Sequence, residues 1–129
     1  MNLISNRGGT LNLSIVRGIS FGPLRVQLTL NDVGETPIDL TGVSVYAHLR
    51  RKASDADAVL SFDVSVVDPV LGMIEIGLTD DATIDVPAVD DHTSPASQSV
   101  WDLLLVDAAG RTTQILQGTV TGYLSATHL

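Results

Sequence analysis

From Val43 to Arg50 the chain alternates without a break: Val45, Ala47 and Leu49 fall on one side, Ser44, Tyr46, His48 and Arg50 on the other. A helix brings every third or fourth residue onto one face, so strict alternation over this length fits only an extended strand with one face in a core. The residues just before it, Pro37 to Gly42, hold the turn that feeds the strand. Asp39 and Thr41 are turn formers, Gly42 takes a positive φ without a Cβ clash, and Leu40 is the apolar residue that can pin the turn to a core.

The same period recurs along the chain. Leu24, Val26, Leu28 and Leu30 alternate with polar residues, as do Leu60, Phe62, Val64 and Val66, and Ile74, Ile76 and Leu78. Asp68, Pro69 and Gly72 separate the last two runs and predict a hairpin. Asp107 to Arg111 predicts a second hairpin, from which Thr112 to Tyr123 returns with Leu116, Gly118 and Val120 on one face and Ile115, Gln117, Thr119 and Thr121 on the other. Between Val100 and Val106 both sets are largely apolar. Trp101, Leu103 and Leu105 account for a core face, and Val100, Leu104 and Val106 surround the single Asp102 on the second face. Either this strand is central in its sheet or its outer face is covered.

Thr79 to Ser99 breaks the pattern, with five aspartates and two prolines. Thr79, Asp80 and Asp81 predict the cap of one helical turn, with Ile84 and Val86 tucked beneath it, in a long connection that crosses between sheets. Some six or seven short strands with hardly a helix predict an all-β fold, an antiparallel immunoglobulin-like β-sandwich of about seven strands; a closed barrel is the competing architecture. With 129 residues there is room for one core, built of Val, Leu and Ile because aromatics are only 4% of the chain. The expected organisation is an N-terminal arm over residues 1–18, with a possible short strand where Leu11, Leu13 and Ile15 alternate, the sandwich over 19–124 and a tail over 125–129. Leu3, Ile4 and the run Leu11 to Val16 are too apolar for a solvated tail and lie around the Gly8-Gly9 joint, so contact with another subunit is expected to order them.

Composition excludes several functions. The chain has no cysteine, which removes disulfides, thiolate metal sites and a thiol nucleophile. Its net charge of −8 opposes nucleic acid, and Arg50, Arg51 and Lys52 read as a solvated strand end. No stretch has membrane length, and the start has no apolar signal-peptide region, so neither insertion nor signal-directed export is expected. His48, His92 and His128 lie on a strand, in a loop and near the C-terminus without ligand spacing. Asp80, Asp81, Asp85, Asp90 and Asp91 lack the EF-hand spacing and read as a solvated connection. With no G-x-S-x-G elbow and no glycine-rich phosphate loop, the sequence predicts no enzyme, metal or cofactor.

Three stretches, Phe21 to Arg51, Val59 to Thr79 and Val100 to Thr121, together resemble small virion proteins of tailed phages and prophages, specifically the N-terminal sandwich domain of upper baseplate proteins. The resemblance rests on the DLTG turn at Asp39 to Gly42, the G-x-I-x-I-x-L strand at Gly72 to Leu78 and the hairpin from Asp107 to Val120. The approach to the Trp101 strand, Pro87 to Ser99, is longer and more acidic than in those proteins, and the chain ends soon after the domain, as a stand-alone module would. The resemblance implies a structural protein of the virion that docks tail or baseplate components. Its partners would be other virion proteins and further copies of itself, with neither nucleic acid nor membrane. A capsid decoration or head-fibre protein is the alternative within that class. A carbohydrate-binding module is the alternative outside it, which would display exposed aromatics; Tyr46 fits that position, whereas Trp101 reads as core. The expected protein interface comprises Leu3, Ile4, Val100, Leu104 and Val106.

Overall fold

The computed structural model describes residues 3–4, 9–29, 36–88 and 97–124. They form ten strands: β1 (Leu3–Ile4), β2 (Gly9–Thr10), β3 (Leu13–Val16), β4 (Phe21–Leu28), β5 (Ser44–Arg50), β6 (Leu60–Ser61), β7 (Asp63–Asp68), β8 (Met73–Leu78), β9 (Ser97–Val106) and β10 (Thr112–Tyr123). One helical turn, α1 (Asp80–Thr83), lies between β8 and β9. Two sheets face each other as an all-β sandwich. The smaller runs β1-β4-β8-β7; the larger runs β2-β10-β9-β5-β6, with β3 also paired to β10. All pairings are antiparallel except those of β1, β2 and β3, which run parallel to their partners. Among the described residues no helix is long and apolar enough to cross a membrane.

The alternating apolar residues form the layer between the sheets. Val26, Leu28, Ile74 and Ile76 from the smaller sheet meet Leu49, Leu103, Leu116 and Val120 from the larger, all buried. Each such side chain contributes about 1.5–3 kcal/mol of burial, the main term available to a chain without cross-links. Phe62 ties the layers at one corner, its ring edge-on to both Phe21 and Trp101 with centroids 6.3 and 5.7 Å away.

The turn ahead of β5 is built as its residues imply. Leu40 is buried, Gly42 has φ +75°, and Asp39 Oδ1 accepts from Thr41 Oγ1 at 2.7 Å and Thr41 N at 2.9 Å. These two bonds, the hydroxyl's first, hold the Asp39 carboxyl below the ordinary carboxylate range. A group depressed in the folded state adds stability above its unfolded pKa and loses it as pH falls through the folded value. We expect the Asp39 carboxyl to titrate by carbon NMR below an ordinary aspartate, and Thr41→Val to move it back up; an unchanged titration in Thr41→Val would remove the hydroxyl as the cause.

Four features depart from the sequence-based expectations. The run from Leu60 to Val66 is two strands, because the chain leaves the larger sheet at Phe62 and enters the smaller one. Phe62 N–H still donates to Ala47 O at 2.9 Å, while β7 pairs with β8. Alternation continues through such a corner, so the pattern alone does not reveal it. Ile115 is buried beside Leu116, because the register between β9 and β10 shifts from Gln114 to Leu116 and the bulge turns Ile115 inward. Under α1, Val86 is 1% exposed but Ile84 is 50% exposed, so only the former is tucked in. Finally, the segment expected as an arm is woven into the sandwich. β1 pairs with β4, β2 and β3 pair with β10, and Leu13 and Ile15 join the core. The possible short strand is present as β3, and the run from Leu11 to Val16 pairs within its own chain. Trp101 Nε1 donates to Leu11 O at 2.7 Å, which fastens that segment to the central strand. Leu30, Asp90, Asp91, His92 and His128 lie outside the described residues.

The connection after β8 does cross from the smaller to the larger sheet. Thr79 Oγ1 accepts from Ala82 N at 3.2 Å as the cap of α1, and Thr83 Oγ1 donates to Asp80 O at 2.8 Å while accepting from Gly18 N at 2.9 Å. Arg17 Nε donates to Ile84 O at 2.9 Å, so the turn is joined to the end of β3.

Candidate functional site

The outer face of the larger sheet is set by register. β9 lies between β5 and β10, and successive rows across the three strands read Ser44, Val106, Thr112; Tyr46, Leu104, Gln114; His48, Asp102, Gln117; and Arg50, Val100, Thr119. Because neighbouring strands align these residues directly, each row is a set of side chains in reach of one another. Val100, Leu104 and Val106 are partly buried by their flanking residues, and no further element of the described chain covers the face. The sequence left open a central strand or a covered one; β9 is central. Tyr46 is 49% exposed in the row beside Leu104. The structure therefore brings three of the expected interface residues onto one face. Leu3 and Ile4 are not with them, since β1 aligns with Gln27 and Leu28 in the other sheet.

The upper rows of this face enclose a cleft of about 270 Å³, whose lining includes His48, Arg50, Val100, Asp102, Gln117 and Thr119, with Thr10 and Asn12 on its far wall. Asn12 is fixed there because its Oδ1 accepts from Thr119 N at 3.0 Å. Arg50 Nε donates to Asp55 O at 3.2 Å, so the loop after β5 holds that side chain at the rim. Asp102 Oδ1 is shut off from solvent and has no hydrogen-bond partner among the described residues. The single ion pair among them is elsewhere, Arg25 with Glu75 at 3.2 Å on the outer face of the smaller sheet. A half-buried carboxylate without an internal donor is costly to the fold. Sequence reading passed over this position, although Asp102 is the only charged residue in the run Val100–Val106, because its neighbours His48 and Gln117 become visible only through strand register.

Among the described residues no three potential metal ligands converge. Asp80, Asp81 and Asp85 are exposed around α1, and Asp80 Oδ1 accepts from Asp81 N at 2.9 Å. A second exposed apolar group, Val66, Val67, Val70 and Leu71, lies along edge strand β7 and the turn after it. The register shift between Val66 and Asp68 puts a bulge at Val67, which spoils the edge for pairing with another strand.

Fold and site together define a two-sheet β-sandwich whose larger sheet keeps one face open, with Val106, Leu104 and Tyr46 among polar residues in its lower rows and the charged and polar side chains around Asp102 in its upper ones. No protein-family model matches the chain, and a search of curated proteins finds no relative.

Proposed function

We propose that this chain is a structural protein of a tailed-phage or prophage virion, a β-sandwich adaptor that docks other tail or baseplate components. The observation that carries this reading is the open face of β9. A central strand presents Leu104 and Val106 outward beside the half-exposed Tyr46, where an ordinary two-layer sandwich would place polar residues. The resemblance of the Asp39 to Gly42 turn, the Gly72 to Leu78 strand and the Asp107 to Val120 hairpin to baseplate sandwich domains supplies the biological setting. Covering Leu104 and Val106 removes apolar surface from water, and each aliphatic fully buried is worth about 1.5–3 kcal/mol, enough to bias association. The partner would be another virion protein or a second copy of this chain; the net charge of −8 disfavours nucleic acid in that place.

Leu104→Asp tests the reading. Leu104 already meets solvent, so the isolated domain should keep its circular dichroism spectrum and lose about 1 kcal/mol or less. Incorporation into the particle should fall about tenfold or more. Normal incorporation of the folded variant would show that this face docks nothing. Electron microscopy of the particle, with this chain located by fitting, would separate a tail or baseplate position from the alternative position on the capsid surface.

A further inference from the structure

We infer that the cleft beside Asp102 is a binding site for a neutral saccharide ring, a role separate from docking through Leu104 and Val106. Three observations support it. First, the lining carries one positive and one negative side chain, Arg50 and Asp102, with His48, Gln117, Thr119 and Asn12 around them. Such a surface has no net charge to offer an ion, but it alternates donors and acceptors, which suits hydroxyl groups that both give and accept hydrogen bonds. Second, Asp102 is not used by the fold: its Oδ1 lacks a donor, and it forms no ion pair although His48 faces it directly and Arg50 stands one row away. That oxygen is closed to solvent as the side chain stands, so a sugar O–H reaches this carboxylate where the side chain turns toward the cleft it lines, and the carboxylate then accepts a charge-assisted hydrogen bond. Third, Tyr46 is the next residue on the same face of β5 below His48, and half its surface is free. Tyr46 is not part of the cleft lining but stands one row outside it, where an aromatic with an apolar face and a polar tip offers a sugar ring that projects from the cleft a surface to lie against. At about 270 Å³ the cleft falls just below the range of drug-sized pockets, which limits it to about one ring of a longer glycan.

The arrangement argues against a lysine or arginine of a partner protein as the occupant, because Arg50 would face it across the cleft. The test is a titration of the full-length chain, followed by amide and imidazole NMR signals, with free glucose, galactose, mannose and N-acetylglucosamine as probes. At least one sugar should shift His48, Asp102, Gln117 and Thr119 together, with a millimolar Kd as expected of a single-ring site. Asp102→Asn keeps the shape and removes the charged acceptor, and Tyr46→Ala removes the stacking surface; each should weaken binding about tenfold or more while the remaining spectrum stays in place. The inference is overturned if no sugar moves these signals, if the shifts map elsewhere, or if Asp102→Asn binds as well as the parent. It is equally overturned if a lysine- and arginine-rich peptide moves them and sugars do not, since the cleft would then belong to a protein interface. Val106→Asp, on the docking face one row farther from the cleft than Tyr46, should leave sugar binding unchanged, so a failure of the docking role and a failure of this site are read separately.

Discussion

Leu103→Asp should unfold the domain. Leu103 lies at the centre of β9, fully buried, aligned with Ala47 on one side and Leu116 on the other. The substitution forfeits about 1.5–3 kcal/mol of burial and leaves a carboxylate that must either stay charged in a low-dielectric layer or be held protonated, at several kcal/mol more. Domains of this kind hold about 5–15 kcal/mol in total, so the loss takes most or all of it. The neighbouring residue in sequence points the other way, which is why Leu104→Asp is expected to be nearly silent in the isolated domain. Circular dichroism and urea unfolding of the two variants measure the contrast. If both unfold the domain, the outer face of β9 is covered as tightly as the inner one and the open face described above does not exist; if neither does, the core assignment is wrong.

The second large effect is expected from Gly72→Ala, although it adds only a methyl group. Gly72 has φ +66°, and a Cβ built there would sit 2.6 Å from Leu28 O and 2.8 Å from Ile38 O. Those carbonyls cannot simply move aside. Leu28 N donates to Gly72 O and Ile38 N to Leu28 O, both at 2.9 Å, while Leu40 N donates to Pro69 O at 2.8 Å. Shifting one of these segments therefore loosens the turn that positions Leu40 as well as the end of β4. The left-handed backbone alone costs a residue with a side chain about 1–2 kcal/mol, and with the steric conflict added the expected loss is about 3 kcal/mol or more. Gly42→Ala and Gly110→Ala are the controls, since both have positive φ but nothing within 4 Å of the added carbon. They should lose only the conformational part, about 1–2 kcal/mol. Equal destabilisation of all three in urea melts would show that the crowding around Gly72 relaxes freely.

This comparison also marks where sequence reading stops. Gly42, Gly72 and Gly110 each follow turn-forming residues and look alike in the sequence, and all three do take positive φ. That much is local: a backbone angle depends on the residue and its immediate neighbours. What surrounds Gly72 comes from segments more than thirty residues away in the chain, and no local pattern reports them. The same division holds for the resemblance to baseplate sandwiches, whose motifs are turns and strands and therefore speak to the fold before the role.

The sequence by itself determined the elements whose cause lies within a few residues. Alternation marks which face of β5 and β8 is apolar, and the Asp39 to Gly42 turn, the hairpins at Pro69 and Gly110 and the Thr79 cap all follow from side chains acting on their own backbone. The tertiary structure alone decided how those elements meet. It split the Leu60 to Val66 run between two sheets at Phe62, because that ring has Phe21 and Trp101 to pack against. It turned Ile115 inward, because a bulge lets two consecutive residues oppose one across the ladder. It drew Leu13 and Ile15 into the core, because β10 offered an unpaired edge next to buried apolar surface, so that pairing with the same chain met both needs. And it set Asp102 beside His48 and Gln117, since cross-strand neighbours are fixed by register, a property of the pair of strands that neither strand carries alone.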